Sequence, residues 1–196
     1  MERLPPVAIP LDESESPVQR DAAQPSLARD CNFFHLLANS TTALKAFLAY
    51  ENALAGGRLS RQQRVIIALT VAEINGSKYG LSAHYGAAKE AGLSDDEIQQ
   101  ARKATSSDPK NAALLRFARA VALQRGDISD ADFQPLRQVG FSDKEIPEIV
   151  ANIAFNIFMD YFNNVVRTAV DFPLLQPGSD APITPPLTRV PRELAI

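Results

Sequence analysis

The chain has 196 residues, 45% of them hydrophobic, and a formal net charge of −3. This suits one globular domain with a substantial core; scattered Lys and Arg exclude a nucleic-acid surface, and no apolar run reaches the ~20 residues that a membrane span needs. Cys31 is the only cysteine, so an intramolecular disulfide is impossible; with an N-terminus unlike a signal peptide, the expected location is the cytoplasm.

The ends differ from the middle. Residues 1–27 read as an extended N-terminal segment, 28–173 as a helical domain and 174–196 as a Pro-rich C-terminal tail. Helical spacing runs through 29–38 and 41–54. Ser60 then opens LSRQQRVIIALTVAEING, where Gln63 completes a capping box and Gly76 sits as the terminating glycine. A further helix is predicted from about Ser77 to Ala91. Ser94 with Glu97 opens the next, and Asp108-Pro109 opens one to about Gln124. Ser129 opens SDADFQPLRQ, which Pro135 is expected to distort. Ser142 with Glu145 precedes a long helix over 146–166 that reads as apolar on nearly every side. No segment alternates with a two-residue period, so the fold class is all-α, a helical bundle with extended N- and C-terminal arms. AGLSDDEIQ (91–99) and VGFSDKEIPE (139–148) form a weak repeat, which reused capping chemistry explains without duplication. In the tail, Leu187, Val190 and Leu194 read either as anchors on a neighbouring subunit or as part of a solvated arm.

The stretch AEINGSKYGLSAHYG, residues 72–86, carries the candidate chemistry. On a helix from Ser77, residues 77, 80, 84, 87 and 91 share a face and read Ser, Gly, His, Ala, Ala. His84 is therefore surrounded by small residues, either for close helix packing or to leave a pocket. One turn back, Gly80 offers nothing to activate. Ser77 lies roughly 10 Å away along the axis, which fits a helix cap better than a nucleophile. Glu73 sits at a helix end unfavourable for an acid. It reads either as a solvated charge or as a partner that orients His84 across the turn. Tyr79 adds a phenolic donor at the same turn.

These residues resemble the core of the alkylhydroperoxidase D / carboxymuconolactone decarboxylase family. The thiol branch of that family has the signature Asn-Gly-Cys-x-Tyr-Cys-x-x-x-His after an apolar helix. Here it reads Asn75-Gly76-Ser77-Lys78-Tyr79-Gly80-Leu81-Ser82-Ala83-His84. The likeness covers roughly residues 30–173, including AALLRFARAV (112–121) and YFNNVVRTAVDFP (161–173). It implies that the resolving and attacking cysteines match Ser77 and Gly80, and that the glutamate of the proton relay matches Val65. Only His84 of the relay remains. Serine and glycine cannot supply a thiolate, so thiol peroxidase activity by this route is expected to be absent.

Three functions follow. The first is an acid–base enzyme on a small carboxylated or lactone-type substrate, with His84 catalytic and Glu73 or Tyr79 orienting it. Arg64 is a candidate for a substrate carboxylate, although a first-turn solvated role fits it as well. The second is a non-catalytic binding or assembly relative. The third is residual peroxidase activity from Cys31, which otherwise reads as a buried, inert thiol. No cofactor and no metal are expected. The expected partners are a small-molecule ligand or substrate and further copies of the chain, since the family resemblance implies a homo-oligomer (trimer, hexamer or dimer) and the apolar excess of the 146–166 helix suits an interface.

Overall fold

The computed structural model describes residues 2–7 and 30–179. Among these residues the chain forms eight helices and no strand: α1 (Asn32–Leu37), α2 (Thr41–Ala55), α3 (Arg61–Ile74), α4 (Lys78–Glu90), α5 (Asp95–Arg102), α6 (Pro109–Gln124), α7 (Asp130–Gln138) and α8 (Glu145–Val166). The all-α class read from the sequence holds. Leu187, Val190 and Leu194 lie outside the described residues.

The helix starts are fixed by local chemistry. Ser60 and Ser94 form reciprocal capping boxes with Gln63 and Glu97, and Ser129 does the same with Asp132. Ser142 and Glu145 make the same pair of bonds, although the first regular helical residue of α8 is Glu145 itself. The two repeat segments share one turn. The N–H groups of Leu93 and Phe141 bond to Ala88 and Leu136 carbonyls, each followed by a serine cap. Both apolar residues are buried. Two expectations need adjusting. The first core helix is shorter than 29–38 because Cys31 stands extended at its start and provides no side-chain cap. Pro135 stays inside α7 without ending it.

α3 is the central helix, buried continuously from Val65 to Ala72. It packs against α4, α5, α6 and α8, and Ile67, Leu69 and Val71 anchor the main core with Leu81, Leu114, Leu115 and Ile149. Val65 belongs to this core. A second cluster joins α1, α2, α4 and α8 through aromatic rings. Phe47 stacks on Phe155 at 4.6 Å and meets Phe33 edge-on at 4.9 Å. Tyr79 and Cys31 lie in this cluster.

The chain after α8 is pinned to the bundle. Arg102, buried at the end of α5, donates Nε to Glu73 at 2.8 Å and Nη2 to the carbonyls of Gln176 and Ser179. The other Glu73 oxygen accepts from the Gly178 N–H. On α4, the Ser82 hydroxyl accepts from the Leu175 N–H at 3.0 Å. Residues 175–179, read from sequence as the start of a tail, are thus held against α3, α4 and α5.

Candidate functional site

The turn between α3 and α4 sets the site. Gly76 adopts φ +61, which suits a residue without Cβ. Its N–H bonds to the Glu73 carbonyl, and the Ser77 N–H reaches back to Ala72. This is a Schellman ending for α3. Ser77 then opens α4 at once, its Oγ accepting from the Gly80 N–H at 3.0 Å. The hydroxyl expected to cap the helix does so.

On the next turn stands the feature that sequence reading did not assemble. A Cβ at Gly80 would collide with Oδ1 of Asp160 from α8, and would also meet Ser77 Oγ at 2.9 Å and Ala72 Cβ at 3.2 Å. The carboxyl of Asp160 therefore fills the volume that a side chain at position 80 would occupy. Asp160 is wholly buried. Its Oδ2 accepts from the Asn75 amide at 3.0 Å, while Oδ1 has no partner in hydrogen-bonding geometry. Burial pushes its pKa up to about 7, against the opposing pull of Asn75 and Ser77.

One turn along α4, His84 is 2% exposed and neither ring nitrogen has a hydrogen-bond partner. Burial lowers its pKa to about 4, partly offset by Asn156, which lies beside the ring without a well-formed hydrogen bond. His84 is thus a neutral imidazole at pH 7. Gly80 faces Asp160 and His84 faces Asn156, each pair one turn apart on its own helix, so α4 and α8 run antiparallel along this seam.

The α8 side of the seam corrects the reading of that helix as apolar on nearly every side. Asn152, Asn156, Asp160 and Asn163 form one buried polar stripe at spacings of four, four and three. This spacing was visible in the sequence, hidden by the surrounding Ile and Phe.

The other sequence candidates take different places. Glu73 is committed to Arg102 and Gly178. Arg102 offsets the unfavourable acid at the end of α3. The Tyr79 hydroxyl accepts from the Phe33 N–H at 3.0 Å and bonds to the Cys31 thiol. Its pKa is pushed far up, first by burial and then by Cys31 and Asp171. Cys31 is buried, which raises its pKa against the bond from Tyr79. Arg64 donates to the Leu59 carbonyl at 2.7 Å. Among the described residues no cluster of three or more His, Cys, Asp or Glu could hold a metal ion, and no helix is long and apolar enough to cross a membrane.

A helical bundle with a central α3, a short Asn-Gly turn and an α4 histidine facing α8 defines an alkylhydroperoxidase D-like fold. Residues 41–124 match the carboxymuconolactone decarboxylase family. The chain's structure is similar to that of an uncharacterized peroxidase-related protein from Ralstonia eutropha JMP134, described as an alkylhydroperoxidase AhpD core. Identity there is 26%, coverage is 72% of this chain and 77% of that one, and the TM-score is 0.66. A peroxidase-related protein from Silicibacter sp. TM1040 is similar at 25% identity, with coverage of 69% and 75% and a TM-score of 0.63. The debrominase Bmp8, solved as a cysteine-to-alanine variant with 2,3,4-tribromopyrrole, shares the fold at 19% identity, with coverage of 86% and 91% and a TM-score of 0.73. No curated protein matches the sequence.

Proposed function

We propose that the protein is a carboxymuconolactone decarboxylase-like relative without cysteine at either motif position, which performs acid–base chemistry on a small carboxylated or lactone-type substrate, with His84 as the proton-transfer residue. The observation that carries this reading is an uncharged, buried imidazole with both nitrogens unpartnered. Polar groups buried without partners are rare, and each one needs an explanation; a free imidazole in a dry site is equipped to move a proton. Glu73 and Tyr79 then serve the scaffold, since their polar atoms are engaged elsewhere. Thiol chemistry has little support. Ser77 and Gly80 stand at the matching positions, and Cys31 is buried against Tyr79, where its thiolate is disfavoured.

The test is a turnover screen of lactones and lactone acids with wild type and His84→Ala. Loss of turnover in the variant supports the reading, and equal rates remove His84 from the mechanism. Alkyl hydroperoxide consumption with a dithiol reductant, lost in Cys31→Ser, would instead favour the peroxidase. The near-complete burial of His84 and Asp160 favours a second reading, a closed binding relative without catalysis. A folded wild type that turns over nothing in the screen, yet binds a small ligand at His84, would establish it.

We further propose a cytoplasmic homo-oligomer. Val150, Phe158, Tyr161 and Val165 stand exposed along one side of α8 at helical spacing, a stripe suited to a second copy. Analytical ultracentrifugation of Phe158→Asp should show a smaller species than wild type.

A further inference from the structure

The buried stripe of α8 contains three asparagines and one acid, and the acid is the unexpected member. Asn152, Asn156 and Asn163 each donate their amide to the carbonyl four residues earlier, Glu148, Asn152 and Met159, at 2.7–2.9 Å. An asparagine at 160 could make the same bond to Asn156 and would carry no charge into the interior. Asp160 cannot donate this bond when ionised, and a charge there is strongly disfavoured by burial. Its carboxyl is nonetheless aimed. Asn75 holds Oδ2, and Asn75 is itself fixed at the turn by the Asn164 amide, which donates to its carbonyl at 3.1 Å. Oδ1 lies over Gly80, which has no Cβ to obstruct it, and makes no well-formed hydrogen bond although the Ser77 hydroxyl is near the carboxyl. His84, whose ring nitrogens likewise make no well-formed hydrogen bond, stands four residues on, roughly 6 Å along α4, a separation that a small molecule can bridge.

The charges around this seam are equally specific. Arg102 is the only buried Lys or Arg among the described residues, and its guanidinium is engaged by Glu73, Gln99, Gln176 and Ser179. Arg64 is turned to Leu59, and Lys78 on α4 is exposed. No described cation contacts Asp160 to offset a second negative charge.

We propose that Asp160 is the second proton-transfer residue of the His84 site and that it selects an uncharged substrate bearing a carbonyl or hydroxyl group over a carboxylate. This rests on the acid–base reading above and narrows its substrate class. His84 takes a proton from the substrate while the Asp160 carboxyl gives one to a substrate oxygen. The proton then returns from the imidazolium to the carboxylate. No electrons leave the substrate, so no co-reactant is needed. The ground states suit these roles: near neutral pH the imidazole is free base, and a substantial share of Asp160 keeps its proton.

The test uses the full chain with ¹⁵N-labelled histidine. His84 ring signals are assigned with His35→Gln, since His35 is the only other histidine. The probes are γ-butyrolactone, neutral, and 4-hydroxybutyrate, its anionic counterpart. At pH 8 the lactone should shift the His84 signals with an affinity at least about tenfold better than the hydroxy acid, the scale of one uncompensated like-charge contact. The gap should close in Asp160→Asn. In wild type it should also narrow at pH 6, where Asp160 is largely protonated, so the result does not depend on the variant folding. The proposal is overturned if the hydroxy acid binds wild type as well as the lactone does. It is equally overturned if the gap persists in the variant and at pH 6, or if neither probe moves the signals. Selective binding together with turnover indifferent to His84→Ala would overturn the acid–base reading while leaving the charge selection standing. Turnover lost in His84→Ala without charge selection would do the reverse.

Discussion

Two sides of α4 treat buried polarity in opposite ways. On one side Tyr79 enters the aromatic cluster, and its hydroxyl is satisfied by the Phe33 N–H and the Cys31 thiol. About a third of a turn round the same helix, Gly80 and His84 face Asp160 and Asn156, where three polar atoms have no partner. The first arrangement builds structure, because satisfied polar groups rigidify a core. The second is poor engineering for stability alone, which is why the proposed chemistry is assigned to that side of the helix.

The largest expected effect falls on the structural side. Phe33→Ala should destabilise the fold by roughly 3–5 kcal/mol, as large-to-small changes in a packed core do. Urea unfolding gives the value, and in the fraction still folded the His84 ring signals should stay in place. A shift of those signals would show that the two sides are coupled.

Asp160→Asn should act with the opposite sign. Folded Asp160 holds its proton up to about pH 7, whereas the unfolded chain releases it near 3.8. Stability from this group is therefore present at low pH and lost as pH rises towards 7. Above pH 7 the variant should be more stable than wild type, by on the order of 2–4 kcal/mol. That advantage should shrink as pH falls, vanishing near 4. Left alone, His84 then gives the variant a reverse slope. The unfolded imidazole takes a proton below about 6.5 and the folded one only near 4, so the variant loses stability as pH falls through that window. A gap between wild type and variant that is equal at pH 8 and pH 5 would refute the Asp160 assignment, and a variant equally stable at both would refute that of His84.

Gly80→Ala should cost about 1–3 kcal/mol, because its methyl must displace the Asp160 carboxyl. Combining it with Asp160→Ala should recover most of the loss, and thermal unfolding of the double variant measures the coupling. The smallest effect is expected from Tyr79→Phe. It strands the Phe33 N–H at a cost of about 1 kcal/mol, visible as a modest fall in Tm with turnover unchanged.

The helices were legible where capping chemistry is local. Ser60 with Gln63, Ser94 with Glu97 and Gly76 each act within a few residues, so sequence spacing suffices. The candidate site was half legible. The Ser77 cap was read correctly from helix geometry, and His84 was singled out on the same face. Asp160 was not, because its significance depends on a contact with Gly80 eighty residues earlier, and its helix was read for apolar excess. The four-four-three spacing of Asn152, Asn156, Asp160 and Asn163 is the signal that would have found it. Glu73 was linked to His84 by nearness in sequence, whereas its partner Arg102 comes from α5, 29 positions later.

The elbow between α3 and α4 has a consequence for how such a scaffold changes trade. Ser77 finishes one helix and begins the next, so the hinge has no slack and depends on Gly76 and a small capping side chain. Position 80 is tied to that bend, since a Cβ there would meet the capping Ser77 hydroxyl at 2.9 Å. Any residue larger than glycine at position 80 must therefore move both the cap of the elbow and the carboxyl that reaches in from across the bundle.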